Sequence, residues 1–385
     1  MKLQMKTTIL FFALALTGSI AQAQQLAKVP SNFDRSVWVV ATENMPGPNY
    51  PRAWGELPDP CTYSHFRNDD PIQKPAQFDA APLHVFVGNT RANANSDYNT
   101  LRTTGEGTCF GGPINRSAMY MPAMMSASGK VILPEFVDVF YRGIATTQPF
   151  PRGLKLMFGP KFMDQSYQWT AKSSRYAWSF VGPGGWWGDS IPQWIYKNFD
   201  PRQYPDYAFQ NGAYRQAIRA VAPDCWDGRN LDSTDHFSHL AYSAADASVT
   251  GACPASHPVK IPQVTVTVSY NWQDRADASG WYLSSDKFQM RNDAPGTNWY
   301  VGMIPAWDDD TMDIWTTKIL NAKWFGAFGK IGDGRRLEHP PTTRLFAPTA
   351  DLGGRAPRFL WSLYGLFWMP GGYTEIPQQR IDPPN

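Results

Sequence analysis

Val264-Thr265-Val266-Thr267-Val268-Ser269-Tyr270 alternates apolar and hydroxyl-bearing residues over its whole length. Successive side chains of a strand point to opposite faces, so this period of two predicts a strand with one face on the core and one in water. Shorter runs with strand character surround it: Val37–Thr42, Leu83–Val87, Ala118–Met121, Val131–Tyr141 (interrupted by Pro134) and Leu154–Phe158. The chain has 33 Pro and 31 Gly, which supply the turns between such runs, and 16 Trp, 17 Tyr and 22 Phe, which suit pleated and half-buried surfaces. Short strands punctuated in this way predict a mainly β fold, a single domain like a jelly roll or β-sandwich.

One helix is expected towards the C-terminal end. Asp308, Asp309 and Asp310 would start it, where carboxylates face the positive end of the helix dipole. Ile314, Trp315, Ile319 and Trp324 recur at near-helical spacing, and Gly326 and Gly329 would end it. Residues 178–214 have little periodicity and many aromatics, among them Trp186, Trp187 and Trp194, and read as a long structured insertion. Phe359–Met369 is a second aromatic run, read as a strand or packed tail.

The chain begins with a secretory pattern. Lys2 and Lys6 precede the apolar run Ile9–Leu16, and Ala21-Gln22-Ala23 is a small-x-small cleavage site. Residues 1–23 are therefore expected to be removed, and the mature protein to be secreted or periplasmic. The apolar run is too short for a bilayer core of about 30 Å. Loss of Lys2 and Lys6 takes the formal charge from +2 to zero. A neutral chain has no electrostatic footprint for nucleic acid or anionic lipid, so both are set aside as partners. All four cysteines, Cys61, Cys109, Cys225 and Cys253, lie in the exported part, where disulfides persist. Of the three possible pairings, Cys61–Cys109 with Cys225–Cys253 is preferred because each bond closes one local loop.

The stretch from Cys225 to Val259 concentrates the chemistry. It holds His236, His239 and His257, three of the chain's six histidines, with Asp227, Asp232 and Asp235 and two of the cysteines. On a helix, Asp235 and His239 would share a face, as would His236 and His239. Imidazole titrates near neutrality and can serve as acid or base. Asp227 and Asp232 sit in turn chemistry, Asp-Gly and Asn-Leu-Asp-Ser, and read as turn formers. Asp235 adjoins His236 and reads as functional. If the fold brings His84 to His236 and His239, two or three imidazoles and a carboxylate would also suit a divalent metal such as Zn²⁺, Mn²⁺ or Cu²⁺. No Gly-x-Ser-x-Gly nucleophile motif and no phosphate-binding glycine loop is present.

Several pieces of the chain, in order, resemble the exported domain family DUF1996. They are Asp70-Pro-Ile72 with Arg67, His84-Val-Phe-Val-Gly-Asn89, Thr108-Cys109, Ser117-Ala-Met-Tyr-Met-Pro122, Tyr141-Arg142 and Phe150-Pro-Arg-Gly-Leu154. Cys225-Trp-Asp-Gly, Asn230-Leu-Asp-Ser, Asp235-His-x-Ser-His239, Cys253-Pro and His257-Pro-Val complete the set, over about residues 58 to 325. Where the family pattern usually carries the first His of a His-x-His pair, this chain has Pro82. The resemblance implies a domain over residues 58–328, preceded by a segment 24–57 and followed by an extension 329–385. It implies export and a site location, and no reaction.

The expected function is cleavage of an extracellular polysaccharide by acid–base chemistry, as hydrolase or lyase. His236, His239, Asp235, His84 and Asp70 would form its centre. Arg142 and His257 would bind substrate, and Trp186, Trp187 and Trp194 would be sugar platforms. The alternatives are a glycan-binding module without catalysis, and an exported metal-binding protein.

Overall fold

The alternating stretch lies within a strand, Gln263–Trp272, near the middle of a six-stranded antiparallel sheet in this computed structural model. The sheet runs in the order Trp187–Gly188, Tyr176–Phe180, Tyr214–Val221, Gln263–Trp272, Phe136–Gly143, Gly55–Cys61. The structure describes residues 25–42, 54–134, 136–143, 145–159, 176–180, 187–188, 214–243, 251–272, 280–288, 296, 298–326, 329–338 and 375–376. Val264, Val266, Val268 and Tyr270 point into the core and are fully buried. Thr265 and Ser269, on the face expected to be wet, are buried too, and Thr267 is half-buried. The second face of this strand is thus covered along most of its length.

The strand Gly55–Cys61 has no counterpart among the expected runs, because Pro58 and Pro60 interrupt it. It forms the edge of the sheet, with Phe136–Gly143 as its one partner strand and single bridges from Glu56 to Phe325 and from Cys61 to Cys109; proline is tolerated where its missing N–H faces away from the ladder. The expected Val131–Tyr141 run breaks near Pro134 into Val131–Ile132 and Phe136–Gly143, which belong to different sheets. Trp178–Phe180, read as the start of the insertion, is strand; Trp186, Trp194 and Phe359–Met369 lie outside the described residues.

A second antiparallel sheet has five strands in the order Tyr63–Arg67, His84–Gly88, Ala118–Pro122, Val301–Ile304, Leu156–Phe158. Its odd and even positions go to different cores. Val85, Val87, Met119, Met121, Val301, Met303, Leu156 and Phe158 join Val137, Val139, Ile218, Val264, Val266 and Val268 of the first sheet in one cluster. Each such side chain contributes about 1.5–3 kcal/mol when fully buried. The opposite face carries Phe86, Ala118, Tyr120, Met157 and Ile304, covered by Ile72, Ala92, Leu101 and Ala306. Gly302 belongs to this face, and a Cβ there would collide with the ring of Tyr120. The mainly β reading therefore holds, with two sheets sharing a core.

The helix spans Asp309–Trp315 and continues as a π-turn, Thr316–Leu320. Asp308 is its N-cap, accepting from Thr311 N at 3.0 Å. It ends earlier than its apolar pattern suggests, and Trp324 lies just past the turn at 321–323 that follows it. A short helix, Tyr98–Thr103, capped by Asp97, was not foreseen. The disulfides are Cys61–Cys109 and Cys225–Cys253, as preferred. Among the described residues no helix is long and apolar enough to cross a membrane.

Candidate functional site

The Cys225–Val259 stretch is built on a small three-stranded sheet. Cys225–Trp226 pairs with Leu240–Ala241 on one side and with Val259–Lys260 on the other. The Cys225–Cys253 bond closes the arrangement. Beneath it Asp224 is fully buried and accepts from Lys260 Nζ, Ser243 N (2.8 Å), Ser243 Oγ (2.9 Å) and Gln263 Nε2 (3.2 Å). Asp227 accepts from the backbone N–H of Arg229 and Asn230, the expected turn chemistry.

His236 sits at φ +58°, a left-handed conformation uncommon outside glycine. Its N–H donates to Ser233 O at 2.8 Å, so the chain doubles back here. The reversal brings its ring to Asp232, where Nδ1–H donates to Oδ1 at 2.9 Å. The other oxygen of Asp232 accepts from Lys155 Nζ at 3.1 Å. Both side chains of the His236–Asp232 pair are about a quarter exposed, at 25% and 26%. The carboxylate holds the proton on Nδ1 and leaves Nε2 with its lone pair. That nitrogen has no hydrogen-bond partner among the described residues.

Asp235 is not the partner of His236. It turns back on its own loop and accepts from Ser233 Oγ (2.7 Å), Ser238 N (2.8 Å) and Phe237 N (3.0 Å). Partial burial pushes its carboxyl upward, but these hydrogen bonds hold it well below the usual range. His239 is buried. Its Nε2–H donates to Lys155 O at 2.8 Å, and Nδ1 lies 2.9 Å from Ser233 Oγ. Burial lowers its pKa, opposed by that backbone contact and the nearby aspartates. His257 lies nearby on the surface, donating from Nε2 to Ser238 O at 3.0 Å.

His84 and Asp70 belong to a separate, buried cluster. His84 Nδ1–H donates to Asp69 O at 3.0 Å, and the Tyr300 hydroxyl donates to Nε2 at 2.6 Å. Asp70 accepts from Ile72 N (3.1 Å), Gln73 N (2.7 Å), Gln73 Nε2 (2.7 Å) and the hydroxyl of Tyr120, with Tyr300 Oη at 3.4 Å. Burial first, then the charge of Asp70, pushes both tyrosines well above their ordinary pKa. The register separates this cluster from His236. His84 pairs with Pro122, in the row that continues to Tyr300, while Lys155 continues the row of Gly88, Ala118 and Ile304. Four residues of strand, roughly 13 Å, lie between the rows. The expected gathering of His84 with His236 and His239 does not occur, and these three cannot ligate one ion.

Arg142 does not offer a free clamp: its Nε (2.8 Å) and one terminal nitrogen both donate to Glu56 Oε1, and its guanidinium stacks over Trp54. Arg67 lies 3.8 Å from Asp69. Trp187 pairs through its backbone with Ser179. Among the described residues only Asp59, Cys61 and Cys109 bring three ligand-type atoms together, and there the two sulfurs are bonded to each other. Asp59 accepts from Asn115 Nδ2 (2.7 Å) and Phe110 N (3.0 Å), and burial pushes its pKa up to about 8. A folded pKa above the unfolded value of about 3.9 means that the native state binds the extra proton. Stability from this group is complete below about pH 4 and is lost as pH rises towards 8. Thermal unfolding is expected to show a falling midpoint over that window, flattened in Asp59→Asn; an equal slope in both proteins would remove Asp59 as the cause.

Asp232, Ser233, Lys155, Tyr120 and Tyr300 were not singled out as functional in the sequence. The four-residue spacing of Asp232 and His236 was the one available signal, but Asp232 was read as a turn former. A family profile described as "Domain of unknown function (DUF1996)" matches residues 70–307, a span that takes in both histidine clusters. No curated protein and no solved structure matches the chain.

Proposed function

The chain belongs to the DUF1996 family, and from that premise we propose that it is an exported enzyme that cleaves an extracellular polysaccharide, with His236 as the group that moves the proton. The observation that carries this reading is the His236–Asp232 pair. A carboxylate that fixes Nδ1–H turns imidazole into a base with a defined lone pair, and the same atom returns the proton as acid. The pair is partly exposed, whereas His84 and His239 are buried. Export is supported by the secretory pattern at residues 1–23 and by two disulfides. The polysaccharide rests on the aromatic sequence around Trp186, Trp187 and Trp194, residues that suit sugar rings.

The test is depolymerisation of a panel of neutral and uronate polysaccharides, read by new reducing ends and by the unsaturated ends that a lyase leaves. His236→Ala is expected to lower the rate about 10²- to 10⁴-fold with the fold retained by circular dichroism. Wild-type turnover in that variant would overturn the assignment.

A glycan-binding module without catalysis has one observation of its own. Phe78 is 48% exposed, the one aromatic among the large exposed hydrophobics of the described residues. Ala76 and Asp79, on either side, both have positive φ, so the ring is displayed from a constrained turn. Polysaccharide retention that persists in His236→Ala and disappears in Phe78→Ala would favour that reading.

A further inference from the structure

The two histidines of the loop are connected by one residue from outside it. Lys155 lies at the end of the edge strand Leu156–Phe158 of the five-stranded sheet, 77 positions before Asp232 and 84 before His239. Its backbone carbonyl accepts from His239 Nε2–H at 2.8 Å. Its ammonium donates to Asp232 Oδ2 at 3.1 Å, and Asp232 Oδ1 in turn accepts from His236 Nδ1–H at 2.9 Å. A carbonyl and a carboxylate accept only, so the protons are assigned by their partners. His239 carries its proton on Nε2 and turns Nδ1 to the Ser233 hydroxyl at 2.9 Å. His236 carries its proton on Nδ1.

We propose that Lys155 is the positioning residue of this site, and that its two ends hold His239 and His236 in opposite tautomers. The inference rests on His236 as the proton-transfer group. The backbone half of the device also docks the loop: Lys155 N–H donates to Leu231 O at 2.9 Å, beside Asp232. The ammonium half fixes the carboxylate. Among the described residues Asp232 has one other contact to pin it, the N–H of Ser233 at 2.9 Å on the same oxygen that serves His236. Without the cation, Oδ2 is free to turn and the Nδ1–H bond of His236 loses its fixed acceptor. His239 keeps its partner in any Lys155 variant, since that partner is main chain.

Long-range proton–nitrogen spectra of the imidazole rings, recorded on the mature protein at a pH where both rings are neutral, distinguish the two tautomers directly. In wild type, His236 is expected as Nδ1–H and His239 as Nε2–H. In Lys155→Met, His236 is expected to relax to a mixture of tautomers while His239 is unchanged, and Lys155→Arg is expected to restore the single Nδ1–H form. The proposal is overturned if His236 keeps its Nδ1–H tautomer in Lys155→Met, or if both rings change together through loss of the loop. Its failure is separable from that of the functional reading, because the spectra need no substrate. A tautomer change in Lys155→Met alongside an active His236→Ala would keep the positioning role and remove the reaction. An unchanged tautomer alongside an inactive His236→Ala would do the reverse.

Discussion

Asp70→Ala is expected to destabilise the protein by about 3–5 kcal/mol, several buried donors being left unmade at about 1–3 kcal/mol each. The carboxylate is 1% exposed and gathers the N–H groups of Ile72 and Gln73, the amide of Gln73 and the hydroxyl of Tyr120. These donors come from two places, the turn that begins the covering segment and the sheet beneath it. Removing the acceptor leaves a tyrosine hydroxyl and two main-chain N–H groups in an apolar setting with nothing to replace water. The covering segment then loses its polar attachment to the sheet, although Ile72, Ala92 and Leu101 still pack on Phe86 and Tyr120. Urea unfolding reads the loss as a lower midpoint with an unchanged slope. Asp70→Asn keeps one acceptor oxygen and is expected to lose less. An unfolding free energy for Asp70→Ala within about 0.5 kcal/mol of wild type would show that the cluster does not hold the segment.

Asp224→Ala is expected to cost a similar amount, about 3–5 kcal/mol, for a different reason. Lys260 is 7% exposed, and its ammonium is held by Asp224 alone among the described carboxylates. Removing that carboxylate strands a charge, together with the donors of Ser243 and Gln263. Because a buried pair is worth little against apolar residues of like size, the double replacement Asp224→Leu with Lys260→Met is expected to recover most of the loss. A double variant as unstable as Asp224→Ala would place the cost in the Ser243 and Gln263 contacts instead. The same variants bear on the site, since Cys225–Trp226 and Val259–Lys260 frame the loop that carries His236.

Period-two alternation made Val264–Tyr270 legible as strand, and Asp308 as a helix start followed from its neighbours. Gly55–Cys61 was hidden because two prolines oppose strand formation everywhere except at an edge, and edges are a property of the sheet, not of the segment. The candidate site was legible as a neighbourhood and misread in its pairing. Adjacency in sequence suggested Asp235 for His236, whereas the left-handed turn at His236 sends its ring back to Asp232. His84 was grouped with the wrong histidines because nothing local reports which end of a sheet a strand residue occupies. Tyr300, 216 positions from His84, left no local trace at all.

The prolines of Gly55–Cys61 have one more effect. Main-chain N–H groups alternate in direction along a strand, so Glu56, Pro58 and Pro60 face the same way. Glu56 N–H is spent on Trp324 O at 2.8 Å, away from the sheet, and the two prolines have no N–H to offer. This border of the largest sheet therefore presents no free donor at these three positions to an incoming chain. A molecule that meets copies of itself at high local concentration is refused growth by strand addition along this side, and the refusal is written into the main chain rather than into surface charge.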